Sequence, residues 1–256
     1  PYRKCVVTMP RPPDNAQRIA AAQMSQRRRP IMRQTWRDLL FLHWPIQPSI
    51  IQQRLPEGLY VDTYQGQAYL GVVPFYMQGL RPVCCPSVPF ISNFPELNLR
   101  TYVYDQFGRP GVWFFSLDAA SWLSVKIARC FFALNYQYAR MRHEKSPDGW
   151  ITHQAQRRGQ SSQKFVYQPK GVSEPAVVGS LPYFLVERYH LFVQNNRGRL
   201  YLGTIQHAPY QLQEVDLDAY SVQLYDLNGF AIPDAGPSHV CYSRQARVEV
   251  YALQPI

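Results

Sequence analysis

The stretch Glu96-Leu97-Asn98-Leu99-Arg100-Thr101-Tyr102-Val103-Tyr104 decides how the rest of the chain is read. In an extended strand, successive side chains point to opposite faces. One face then carries Leu97, Leu99, Thr101 and Val103, which suits a core. The other carries Glu96, Asn98, Arg100, Tyr102 and Tyr104. A carboxylate, an amide, a guanidinium and two phenols in a row suit the wall of a polar cavity. Arginine offers a planar fork for a carboxylate, and a glutamate whose pKa is raised by burial can move protons. The same row also describes a solvated outer face, on which a Glu96–Arg100 surface pair contributes little. Alternation alone does not choose between the two.

Asp105 to Gly111 follows with turn residues, so 97–105 and 111–117 are expected to form an antiparallel hairpin. Further β-branched and aromatic runs, cut by Gly and Pro, predict strands at 59–64, 67–77, 136–143, 150–157, 163–168, 190–195, 199–206, 213–226 and 246–253. Trp36 to Trp44 is dense in apolar side chains without a clear period. Short helices are expected at 48–55, where Pro48 opens and Pro56 stops the turn, and at 180–188, with Ser180 as cap. A third is expected at 118–132, with Asp118 as N-cap. Many strands with two or three short helices make an α+β domain, and no repeat or linker divides it. The expected organisation is a basic flexible leader over 1–35 and one domain over 36–256.

The 256 residues are 46% hydrophobic and 17% charged, as in a globular protein. The net charge of +10 is uneven: residues 1–38 hold nine lysines and arginines against Asp14 and Asp38. A leader of that kind reads first as a flexible extension, which disfavours nucleic acid as a partner. No apolar run reaches the roughly 18–20 residues needed to cross a bilayer, so no membrane partner and a cytoplasmic location are expected. The five cysteines include one adjacent pair, Cys84-Cys85, and no C-x-x-C pair, so they outline neither a zinc ribbon nor a disulfide framework. The six histidines lack metal-ligand spacing, although His143 and His153 face each other if their strands pair. Neither a metal nor a cofactor is expected. Phosphate-cradling glycine loops, H-E-x-x-H and G-x-S-x-G are all missing from the sequence.

Several runs resemble the YqjF-like family of uncharacterised proteins. They are His43-Trp44-Pro45, Leu55-Pro56-Glu57-Gly58-Leu59, Gly71-Val72-Val73-Pro74-Phe75, Glu96 to Val103, Gly111 to Asp118, Phe184 to Tyr189, and His207 to Leu212. The likeness spans roughly 36–254. That family looks like a branch of the acetoacetate decarboxylase-like superfamily. The resemblance implies curved antiparallel sheets forming a barrel-like or cone-like cavity. The decarboxylases bind a β-keto acid there and attack its ketone with a lysine amine, in a segment reading G-R-E, three residues, an aromatic, then Pro-Lys-Lys.

In Ala128-Arg129-Cys130-Phe131-Phe132-Ala133-Leu134-Asn135-Tyr136-Gln137 the arginine is kept as Arg129, but Tyr136 stands where the lysine belongs. The decarboxylases' catalytic glutamate falls on Glu96. Schiff-base chemistry needs a neutral amine, whose pKa is lowered by desolvation or a cationic neighbour, and a phenol forms no imine. Of the five lysines (Lys4, Lys126, Lys145, Lys164, Lys170), Lys126 is nearest in sequence and is expected to point outward.

The expected site therefore has Glu96 and Tyr136 as candidate catalytic groups, with Arg100, Asn98, Tyr102 and Arg129 as ligand-binding groups. Its ligand would be a small organic acid or carbonyl compound. Two readings of that site stay open: a pocket without turnover, and a lysine-independent enzyme for proton transfer, hydrolysis or decarboxylation. A third reading, nucleic-acid association through the leader, would show as steeply salt-dependent binding. The sequence leaves a homo-oligomer open.

Overall fold

The alternating stretch lies inside strand β4 (Phe94–Asp105) of a computed structural model that describes residues 10–23, 28–88, 91–121 and 135–256. β4 pairs antiparallel with β3 (Ala68–Pro82) on one side and β5 (Pro110–Ala119) on the other. The β4–β5 hairpin is the one expected from sequence. Asp105 Oδ1 accepts from the backbone N–H groups of Phe107 and Arg109, both at 3.0 Å. Gly108 closes the turn at φ +72°, where a Cβ would be strained.

β1 (Met32–Ile46) pairs with β3 and with β13 (His239–Val250). β13 meets β11 (Leu200–Gln206), β11 pairs with β10 (His190–Gln194), and β10 joins β5 in parallel. Strands β1, β3, β4, β5, β10, β11 and β13 thus close into a ring. From β13 the sheet continues through β12 (Gln211–Ala219), β9 (Gln163–Pro175), β8 (Ile151–Gln156) and β7 (Arg140–Lys145). This extension covers the outside of the ring. Leu40, Leu42, Val72, Leu97 and Leu99 pack there against Ile151, Phe165 and Tyr167. Inside the ring, Leu39, Phe41, Val73, Phe75 and Ile205 form a second cluster. Burying one such side chain is worth roughly 1.5–3 kcal/mol. Strands covered on both faces lose the apolar–polar alternation, which is why Leu39 to Leu42 reads as an unbroken apolar run.

Single-residue irregularities reset which side chains face inward. On β1, Met32, Gln34 and Trp36 point into the ring, then Asp38 adopts φ +50° and the inward set becomes Leu39 and Phe41. On β5, Val112 and Phe114 point inward, the register with β4 slips at Phe115, and Leu117 follows. Phe115 packs instead on Phe230 in the outer cluster, with ring centroids 4.8 Å apart. Such bulges place two residues opposite one and bend the strand, which suits a closing ring.

Four helices lie among the described residues: α1 (Asn15–Gln23), α2 (Pro48–Gln52), α3 (Leu181–Val186) and α4 (Gln223–Leu227). α3 starts as its sequence predicts, with Ser180 Oγ accepting from the Tyr183 N–H at 3.3 Å. The expected helix at 118–132 needs correction at its start. Asp118 lies within β5, fully buried, and accepts from Arg157 Nε and Nη2 at 2.8 and 2.6 Å. Residues 122–132 of that segment fall outside the described residues. The strand expected over 213–226 ends at Ala219, and Gln223–Leu227 is helical. Within the first 35 residues, Arg18 of α1 is buried on Asp62 at 2.6 and 2.8 Å. β1 begins at Met32, so the boundary drawn after residue 35 falls inside a strand.

Candidate functional site

The ring encloses a cavity of about 150 Å³. Its walls are mostly apolar, from residues such as Leu39, Phe75, Phe114, Ile205 and Leu253. Into it project Glu96, Asn98 and Arg100 from β4, and Tyr136 from β6 (Tyr136–Tyr138). Arg188, which follows α3, and His190 of β10 complete the polar lining described below. The inward face of the opening stretch is therefore the polar row, and the outward face is the apolar one.

Tyr136 reaches Glu96 because β6 runs parallel to β5, with Tyr136 opposite Leu117. Asn135 anchors this short strand, donating from Nδ2 to the Phe115 carbonyl at 2.7 Å. The strand expected over 136–143 is split at Ala139: Tyr136–Tyr138 belongs to the ring side, while Arg140–Lys145 pairs with β8 in the outer layer. In one unbroken strand Tyr136, Tyr138, Arg140 and Arg142 would share a face, and the split divides them. Only Tyr136 of these enters the cavity, and the other three are exposed.

Tyr136 donates its O–H to Glu96 Oε2 at 3.2 Å. Glu96 is only 2% exposed. Burial pushes its carboxyl up to about 8, against a smaller lowering by the Tyr136 hydrogen bond, with Asp118 adding to the rise. At neutral pH the group is chiefly the neutral acid. Tyr136 is raised well above the usual tyrosine value by burial and by Glu96, so it remains a donor.

At another point of the wall, Arg100 donates from Nη2 to the Leu185 carbonyl at 3.1 Å. Its guanidinium carbon stands 5.3 Å from the ring centroid of Phe41 and 5.7 Å from that of Tyr102. Arg188 lies 5.0 Å from the Tyr102 centroid, donates from Nε to the Phe184 carbonyl and from Nη1 to Asp62, both at 2.8 Å. The last carbonyls of α3 thus hold both cations, as helix C-termini favour. Burial lowers Arg188 to about 10, which leaves it charged at neutral pH.

Several buried polar atoms of these lining residues have no hydrogen-bond partner among the described residues. They are Asn98 Oδ1, Arg100 Nε, Arg188 Nη2, His190 Nε2 and Trp36 Nε1. Buried polar groups are nearly always paired, so five such atoms on one cavity's lining are groups whose hydrogen-bonding capacity the described residues leave unused. His190 is held neutral, lowered to about 4 chiefly by burial and then by Arg109.

Tyr102 shares the face of Arg100 but is not part of the cavity lining. It is fully buried and its hydroxyl lies 2.6 Å from His43 Nε2, while His43 Nδ1 lies 3.0 Å from His239 Nδ1. The approach requires Gly71, because a Cβ there would come within 3.0 Å of the His43 ring and 3.3 Å of the Tyr102 hydroxyl. Tyr102 thus stands behind the two guanidinium groups, outside the cavity lining. Arg129 and Lys126 lie outside the described residues. His143 and His153 do meet across paired strands, with Nδ1 atoms 3.2 Å apart. No group of three or more His, Cys, Asp and Glu side chains suited to a metal occurs among the described residues. Arg188 and His190 escaped the sequence reading, since nothing in Glu187-Arg188-Tyr189-His190 distinguishes a buried arginine from an exposed one.

Comparisons with known proteins agree with this architecture. A model of the family DUF2071, described as an uncharacterized conserved protein, matches residues 33–247. The uncharacterized protein YqjF of Bacillus subtilis (strain 168) is 42% identical over 209 residues, covering 81% of this chain and 85% of its own. An acetoacetate decarboxylase from Legionella pneumophila superposes with a TM-score of 0.62 at 11% identity, over 88% of this chain and 87% of that one. The enduracididine biosynthesis enzyme MppR, complexed with pyruvate, gives 0.59 at 12% identity, over 91% and 93%. No helix among the described residues is long and apolar enough to cross a membrane.

Proposed function

Because the chain belongs to the DUF2071 family and carries the acetoacetate decarboxylase-like fold, we propose that its ring cavity is a pocket for a small carbonyl or carboxylate compound, operating without a Schiff base. The observation that carries this reading is the set of unpartnered polar atoms on Asn98, Arg100, Arg188 and His190 around one enclosed space. Arg100 and Arg188 serve a carboxylate, and Glu96 with Tyr136 serves a carbonyl oxygen. Similar folds are described with small ligands: MppR has been obtained with pyruvate. The argument against an imine is chemical. Lys145, Lys164 and Lys170 are exposed, and no lysine lines the cavity among the described residues. Incubation with acetoacetate or pyruvate and borohydride should leave the protein mass unchanged, while calorimetry should detect binding of one of them. A trapped adduct on any lysine would overturn the first half of the proposal, and no binding of either compound or of a longer monocarboxylate such as hexanoate the second.

One observation favours turnover. A carboxyl raised to about 8, touching a phenol, is suited to proton transfer beside a carbonyl. The Tyr136–Glu96 pair would polarise the carbonyl as an oxyanion site does. Wild type should then exchange the α-protons of acetoacetate in D2O, followed by NMR, at least tenfold faster than Glu96→Gln. Equal rates would leave a binding pocket without this chemistry.

A further inference from the structure

This inference rests on the ring interior being a small-molecule pocket, and it names the class of molecule. We propose that the pocket takes a monocarboxylic acid with an uncharged apolar body of about six carbons, its carboxylate on Arg100 and Arg188 and its body along the apolar walls.

The first argument is charge. Arg100 is 8% exposed and has no carboxylate within ion-pair distance among the described residues. Asp62 is shared by Arg18 and Arg188, so the one buried carboxylate there serves two guanidinium groups. Glu96 is engaged with Tyr136 and makes no ion pair with Arg100. A buried cation without a counter-charge is unfavourable, and a ligand carboxylate supplies one. Arg100 Nε and Arg188 Nη2 are the unpartnered donors it would meet. No other Lys or Arg lines the cavity among the described residues, so a second anionic group on the ligand would find no partner.

The second argument is the wall. Beside these groups and the polar Gln34, Asn98 and His190, most of the lining is aliphatic and aromatic, including Leu39, Val73, Phe75, Phe114 and Leu117. An apolar cavity of about 150 Å³ holds a benzene-sized body, which matches the volume enclosed here. Each methylene moved from water into such a wall is worth about fourfold in affinity. A three-carbon keto acid would leave most of this surface uncovered, whereas a six-carbon acid covers it. Asn98 Oδ1 is an unpartnered acceptor, so a further oxygen on the ligand facing it would be a hydroxyl.

A surface recess beside the cavity is also cationic. Tyr251 and Leu253 line both the cavity and an adjoining surface recess, and Arg28 and Arg29 line that recess as well. Positive charge on the surface next to the cavity raises the local concentration of anions.

Isothermal titration of the full chain with hexanoate, hexanamide, adipate, pyruvate and acetoacetate tests the proposal. Hexanoate should bind at least tenfold tighter than each of the other four. Arg100→Met should abolish the preference for hexanoate over hexanamide, and Arg100→Lys should restore part of it. The wild-type series decides the matter even if the arginine variants fold poorly. Hexanamide binding as tightly as hexanoate would overturn the carboxylate contact. Pyruvate or acetoacetate matching hexanoate would overturn the apolar body while leaving the pocket itself intact. Adipate matching hexanoate would overturn the single charge. Silence from all five would remove the pocket reading together with this one.

Discussion

The two faces of β4 are equally buried and differently satisfied. On the outward face Leu97 and Leu99 are fully covered by the outer layer. On the inward face Glu96, Asn98 and Arg100 are 2%, 4% and 8% exposed, yet Asn98 Oδ1 and Arg100 Nε lack partners among the described residues. One strand therefore supplies a sealed core on one side and a set of unmet hydrogen-bonding groups on the other. Unmet groups at a buried position lower stability, and five of the twelve such atoms among the described residues line this one cavity.

This contrast can be broken in three places. The largest effect is expected outward: Leu99→Ala should lower unfolding free energy by about 2–5 kcal/mol, the range for emptying a packed position, measured by urea denaturation. Inward, Glu96→Gln should change the pH dependence more than the stability itself. The carboxyl rises from 4.5 in the unfolded chain to about 8 when folded. Its protonated form therefore favours the folded state below pH 4.5, and that contribution is lost as pH rises through 8. Between those values wild type should lose up to about 1.4 kcal/mol per pH unit relative to Glu96→Gln. A parallel pair of stability curves would mean that Glu96 is ionised in the folded protein. The smallest effect is Asn98→Leu, which removes an unsatisfied amide and should raise stability by about 1 kcal/mol, visible as a higher melting temperature. A loss instead would show that Asn98 is paired in solution.

Sequence legibility followed the same division. The alternation of Glu96 to Tyr104 was readable because β4 has no bulge of its own, and Glu96, Asn98 and Arg100 were placed on one face by period alone. Tyr136 was singled out by its position in a segment resembling the decarboxylases'. Its contact with Glu96 depends on β6 pairing with β5, a long-range event. Asp118 was misread because an aspartate before Ala-Ala-Ser-Trp resembles a helix start, whereas its true partner, Arg157, lies in the outer layer. Periodicity also failed wherever Asp38 or Phe115 reset the inward set, since a one-residue slip exchanges the faces. Tyr102 had the right face for the cavity, but α3 and the hydrogen bond to His43 place it behind the wall.

The ring is not equally stiff all the way round. β1 is laced to β13 from Met32 to His43, with a break only at Asp38. The β10–β11 hairpin is held far more sparingly: Leu191 and Phe192 join β5, while Ile205 and Gln206 join β13. Leu191, Gly203 and Ile205 of that hairpin line the cavity. The enclosure therefore has a closely paired arc at β1 and β13 and a sparsely paired arc at β10 and β11, and the second carries His190 beside Leu191, Gly203 and Ile205. With the fewest ladder pairings to its neighbours, that hairpin is the part of the wall where a change in the cavity would be felt first.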